Sequence, residues 1–162
     1  MRNLMNIRDL WSKILTVVGG IALVVGGIDP MEGSLLILPG SGLMALGAYL
    51  GQTERQLVVF RVVVFILVAI GVGATWGLSA VGGFGGSSGR SMWWGVLILP
   101  SLIGWSMGIW GPGSPRWLSL LGIGAGLWYM GIAFVILRCW SPIAVTFGAL
   151  GVLTIGGCLY RL

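Results

Sequence analysis

Only four carboxylates occur in this chain of 162 residues, and two of them, Asp29 and Glu32, share the short stretch GGIDPMEGS, Gly26 to Ser34. Two acids this close can act as general acid and base, or hold a cation. They can equally begin a helix. Asp29 then supplies an N-cap oxygen, Pro30 takes the first helical position, and both carboxylates lie near the positive end of the helix dipole. Capping accounts for the spacing by itself, and a binding or catalytic role remains compatible with it.

Other chemistries lack their parts. The chain has no histidine, so a serine nucleophile has no imidazole base, and no lysine is placed to replace it. An aspartate dyad inside a membrane is excluded because Asp29 and Glu32 stand at the edge of their apolar runs. Cys139 and Cys158 flank one run, separated by roughly 28 Å of helix, too far for a disulfide. Without histidine or a Cys-x-x-Cys pair, no zinc or haem ligand set exists. The glycine-rich GGFGGSSGR at 82–90 lacks the G-K-[ST] ending of a phosphate-binding loop. The expectation is a protein that is not an enzyme, with no cofactor, metal, nucleotide or nucleic acid.

Three sets of residues remain as candidate sites. Asp29, Glu32, Arg90 and Arg138 are the charges expected on the outer face, where they form an ion-pair clamp between loops or a small polar binding cluster. Pro39 and Pro100 are expected about nine residues into their helices, as paired kinks that free the carbonyls of Leu35 and Val96. Ser41, Thr75, Ser101 and Ser106 would line a pathway at that level if one exists.

The elements that hold these residues follow from composition. The apolar fraction is 57%, charged residues make up 8%, and mean hydropathy is +1.02, whereas a soluble domain carries about a quarter charged residues. The intervals 62–89, 91–115, 117–137 and 139–160 contain no charge, and about 20 residues of helix cross a bilayer. The expected fold is an all-α integral membrane protein, a compact bundle of six transmembrane helices in one polytopic domain. Their expected ranges are 10–28, 30–51, 54–81, 92–111, 115–137 and 142–160. The first is read as an uncleaved helix, since no A-x-A-like site follows it. Asp29-Pro30, Ser114-Pro115 and Ser141-Pro142 offer caps at turns, and Thr53 with Gln56 has capping-box spacing.

Charge asymmetry orients the bundle. With the N-terminus inside, Arg2, Arg8, Lys13, Arg55, Arg61, Arg116 and Arg161 are cytoplasmic, against Arg90 and Arg138 outside. Arg61 is expected to start a helix and snorkel to the inner surface. Anionic headgroup binding needs only these same end positions. Trp11, Trp110 and Trp117 fall near the inner boundary, and Trp76, Trp93, Trp94 and Trp140 near the outer. Trp105 and Trp128 lie deeper, where each indole N–H needs an acceptor on a neighbouring helix.

Glycine numbers 30, against about 11 in an average chain of this length. Gly47 with Gly51, Gly73 with Gly77, Gly104 with Gly108, and Gly122 with Gly126 have the four-residue spacing that lets helices approach closely. Within-chain packing and self-association both use such faces. LILP at 36–39 recurs at 97–100, and the offset of 61 also pairs Arg55 with Arg116. A parallel two-helix repeat relating helices 2–3 to 4–5 explains this, as does chance in a low-complexity chain. The DPMEG turn and short loops have a bacterial character. The reading is a non-enzymatic accessory, assembly or scaffolding subunit of the bacterial inner (plasma) membrane, with both termini cytoplasmic. Its partners would be the lipid bilayer and other integral membrane proteins. The alternative is a small passive channel or facilitator for a neutral or weakly polar solute.

Overall fold

The computed structural model of the chain describes residues 7–28, 33–51, 54–83, 92–137 and 142–161. Among them are six helices and no strands: α1 (Ile7–Ile28), α2 (Ser34–Leu50), α3 (Arg55–Ala80), α4 (Leu99–Trp110), α5 (Arg116–Leu137) and α6 (Pro142–Arg161). A 3₁₀ segment, Met92–Ile98, runs directly into α4. By length and composition, α1 and α3 can each cross a membrane.

Helices form because the apolar runs offer no alternating pattern for strands, and they stop where glycine, proline or charge interrupts. The end of α3 is a Schellman motif: Gly83 N–H bonds Leu78 O at 2.7 Å and Gly82 N–H bonds Ser79 O at 3.1 Å. Gly82, at φ +90°, takes the left-handed position that this motif requires. The helix starts differ from the expected caps. Behind α2 the N-cap is Gly33, whose carbonyl accepts from Leu36 and Ile37 N–H, both at 2.8 Å. Asp29, Pro30 and Glu32 lie outside the described residues, two to five positions ahead of Ser34. The N-cap of α3 is Glu54, with no side-chain cap bond, and Thr53 lies outside the described residues.

Neighbouring helices pair as antiparallel hairpins, α1 on α2, α3 on α4 and α5 on α6. Glycine sets the closeness of each seam. On α1, Gly19 lies against Gly40 O and Met44, and Gly26 against Gly33 O and Ile37. Ser12 Oγ donates to Gly47 O at 2.6 Å across the same seam. Gly104 meets Leu67 and Val68, and Gly126 meets Gly151 O and Ile155. The hairpins close around one core of Leu23, Met44, Val68, Trp105, Ile109, Leu118, Tyr129 and Leu150.

Candidate functional site

Arg61 is the seventh residue of α3 and only 2% exposed. This corrects the expectation of a rim arginine snorkelling to the surface. The cause lies on the neighbouring helix. Gly108 O, in the last turn of α4, would normally accept from the N–H four residues on, but residue 112 is proline and has none. Arg61 Nη1 fills the position at 2.9 Å, and Ser114 Oγ donates to the same carbonyl at 2.9 Å. Arg61 Nη2 donates to Pro112 O at 2.8 Å and to Ser114 Oγ at 2.6 Å. Nη1 also reaches Met44 Sδ on α2, at 3.9 Å. One guanidinium thus ties α3 to the C-terminal end of α4, to the α4–α5 turn and to α2. A cation at this end also suits the negative pole of the α4 dipole. Ser114, expected as the cap of α5, has its hydroxyl engaged in this network.

A second buried polar group joins α1 to α4 and α5. Trp105 and Tyr129 are 2% and 1% exposed, with ring centroids 5.3 Å apart and planes at 88°, and Phe147 stacks on Tyr129 at 5.6 Å. Trp105 Nε1 donates to Leu23 O at 2.8 Å, so the deep indole has the neighbouring-helix acceptor that its depth demands. Tyr129 OH donates to Gly27 O at 2.6 Å. That carbonyl belongs to the last turn of α1, where helical partners run out. Tyr129→Phe should therefore lower stability by about 1–2 kcal/mol, through a lost hydrogen bond and a buried carbonyl left unserved. Thermal unfolding in detergent measures this, and an unchanged midpoint would show the bond to be dispensable.

The hydroxyls of the expected pathway residues all bond carbonyls close by in sequence. Ser41 Oγ donates to Leu38 O at 2.8 Å, Ser101 Oγ to Ile98 O at 2.7 Å, Ser106 Oγ to Ile103 O at 3.0 Å and Thr75 Oγ1 to Gly71 O at 2.9 Å. Each hydroxyl is satisfied by its own helix or the turn before it. Pro39 lies inside α2 as expected. Pro100 instead stands at the second position of α4, after the 3₁₀ segment. In 3₁₀ geometry the Val96 carbonyl addresses residue 99, not the missing N–H at 100, so the paired-kink expectation fails at this proline.

Three of the four glycine pairs face neighbours. Gly47 meets Thr16 and the Ser12 carbonyl, Gly51 meets Ser12, Gly108 meets Leu23 and Val64, and Gly122 meets Ile109 and Cys158. Gly73 and Gly77 have nothing within 4 Å among the described residues and take no part in the packing between the described helices. Trp128 is 56% exposed on α5, not inserted between helices. The charged set Asp29, Glu32, Arg90 and Arg138 lies outside the described residues. An open groove of about 380 Å³ is lined by Arg55, Gln56, Val59 and Phe60 at the start of α3. No family model, curated protein or solved structure matches this chain.

Proposed function

We propose that this chain is an integral membrane protein of six spans with both termini cytoplasmic. In the bacterial inner membrane it would act as a non-enzymatic accessory or scaffolding subunit for other membrane proteins. The outer surface carries the reading. Ile14 and Val25 on α1, Leu35 and Leu46 on α2, Val59 and Ile70 on α3, Ile103 on α4, Leu120 and Leu127 on α5, and Val152 and Leu153 on α6 are all exposed. A soluble monomer rarely exposes apolar patches beyond a few hundred Å², so lipid or partner helices are the fitting cover.

Helix lengths support six spans. The 3₁₀ segment rises about 2.0 Å per residue, which brings it and α4 together to roughly 32 Å, near the hydrocarbon thickness of about 30 Å. α5 and α6, at 22 and 20 residues, reach a similar length. α2 is shorter at 17 residues and is sheltered along one side by α1. One end of the bundle gathers Arg8, Lys13, Arg55, Arg116 and Arg161 against Asp9 and Glu54, which favours its placement in the cytoplasm. The two-helix repeat belongs to the same reading, since α3 and α5 begin 61 residues apart, at Arg55 and Arg116.

Scaffolding is favoured over solute passage because Trp105, Tyr129 and Met44 fill the interior and the expected pathway hydroxyls bond their own chain segments. The Trp128 indole, exposed halfway along α5, would face hydrocarbon with no acceptor, and a partner helix would supply one. Topology is tested with single cysteines in a chain whose own two are replaced by serine. Val81→Cys should label from outside intact cells, and Arg55→Cys only after the inner membrane is opened. Labelling of both from one side would overturn the topology. Solute flux through liposomes containing the purified protein would overturn the scaffold reading in favour of the facilitator.

A further inference from the structure

The groove at the start of α3 has the chemical order of a phospholipid. It is lined by a cation, Arg55, a neutral amide, Gln56, and, one turn further along the helix, Val59 and Phe60. From there one face of α3 continues as exposed apolar side chains: Val59, Val62, Val63, Ile66 and Ile70. Those positions follow helical spacing and run roughly 16 Å along the axis, about the depth of one leaflet of hydrocarbon. The Arg61 guanidinium carbon lies 5.8 Å from the Phe60 ring centroid, so a second, buried positive charge stands close to one of the lining residues.

We propose that this groove seats an anionic phospholipid of the cytoplasmic leaflet, with its phosphate on Arg55 and Gln56 and one acyl chain along the stripe from Val59 to Ile70. The assignment rests on the membrane reading above and names a ligand for it. Free phosphate would use Arg55 and Gln56 and leave the stripe uncovered. A zwitterionic lipid would bring its own cation against Arg55. Glu54, exposed beside Arg55, opposes an anion locally, while Arg8, Lys13 and Arg116 at the same end, with Asp9 the one further carboxylate against them among the described residues, restore a positive field.

The test is native mass spectrometry of the full chain in detergent with equal amounts of dioleoyl phosphatidylglycerol and phosphatidylcholine. The protein should retain phosphatidylglycerol preferentially. Arg55→Gln should weaken that preference about fivefold, the worth of one basic side chain at an anionic surface, while Arg116→Gln, which lowers only the shared field, should weaken it by clearly less. Inorganic phosphate at matched concentration should not displace the lipid. Equal losses in the two variants would reduce the effect to diffuse charge and overturn the site. Displacement by phosphate would overturn the lipid assignment. A protein that needs detergent yet shows no preference loses only this proposal, whereas one monodisperse without detergent and retaining neither lipid loses the membrane reading as well.

Discussion

Replacing Arg61 with leucine should destabilise the protein by about 3 kcal/mol or more, because each charge-assisted hydrogen bond is worth about 1.5–3 kcal/mol and two of them are buried, to Gly108 O and to Ser114 Oγ. The loss corresponds to a midpoint lowered by about 6–12 °C for a chain of this size, readable as the temperature at which the monodisperse species disappears in mild detergent. Leucine fills the volume but gives nothing to Gly108 O or Pro112 O, and the proline at 112 prevents the backbone from compensating. Arg61→Lys should recover less than half of the loss, since an ammonium is a compact donor and cannot span acceptors now served by two Nη atoms at once. A double-mutant cycle with Ser114→Ala should give a coupling of about 1 kcal/mol or more. Buried charges are sometimes replaced by apolar residues at a gain. If Arg61→Leu is as stable as the parent and the cycle shows no coupling, the guanidinium is not what ties α3 to the α4–α5 turn.

The difference between rim and interior for this arginine explains what the sequence could and could not disclose. The helices were legible because apolar runs and their interruptions are local: α1 ends at Ile28, α5 at Leu137 and α6 starts at Pro142, where the run lengths place them. Trp105 was legible as a buried donor needing an acceptor, because its depth follows from its position in a run. Arg61 was not, because its burial is set by a vacancy on another helix. The available signal was Pro112 four residues after Gly108, together with a position roughly 9 Å further along the helix than Arg55. The expected cap of α5 fails for a related reason, whereas α6 begins at Pro142 as expected and its cap, Ser141, lies outside the described residues. Spacing assigns Ser114 to the helix that follows it, but its hydroxyl answers to α4 and α3. Pro100 was read as interrupting a continuous α-helix, and a 3₁₀ segment ahead of it removes the conflict that would have produced the kink.

Glycine separates the two kinds of helix face most sharply, and Gly19→Leu against Gly73→Leu should give opposite results. Both glycines sit within apolar helices. A Cβ on Gly19 would lie 2.6 Å from Gly40 O and 2.8 Å from Met44 Cγ, and a Cβ on Gly40 would meet Ala22 Cβ at 2.9 Å. The obstacle at Gly19 includes backbone, so α1 and α2 must separate, and the Ser12–Gly47 bond and the Gly26 contacts are strained with them. The expected cost is about 3 kcal/mol or more, the upper range for overpacking, seen as a lowered unfolding midpoint. At Gly73 nothing among the described residues lies within 4 Å. Leucine there meets only the surroundings of the bundle and gains roughly 0.5–1 kcal/mol of helix propensity, so the midpoint should hold or rise. Spacing alone cannot tell these glycines apart, since Gly73 with Gly77 repeats at four residues as Gly104 with Gly108 does. What differs is the second helix. Were Gly73→Leu to cost as much as Gly19→Leu, the outer face of α3 would be covered in the native assembly, and the hairpin pairing described here would be only part of the packing.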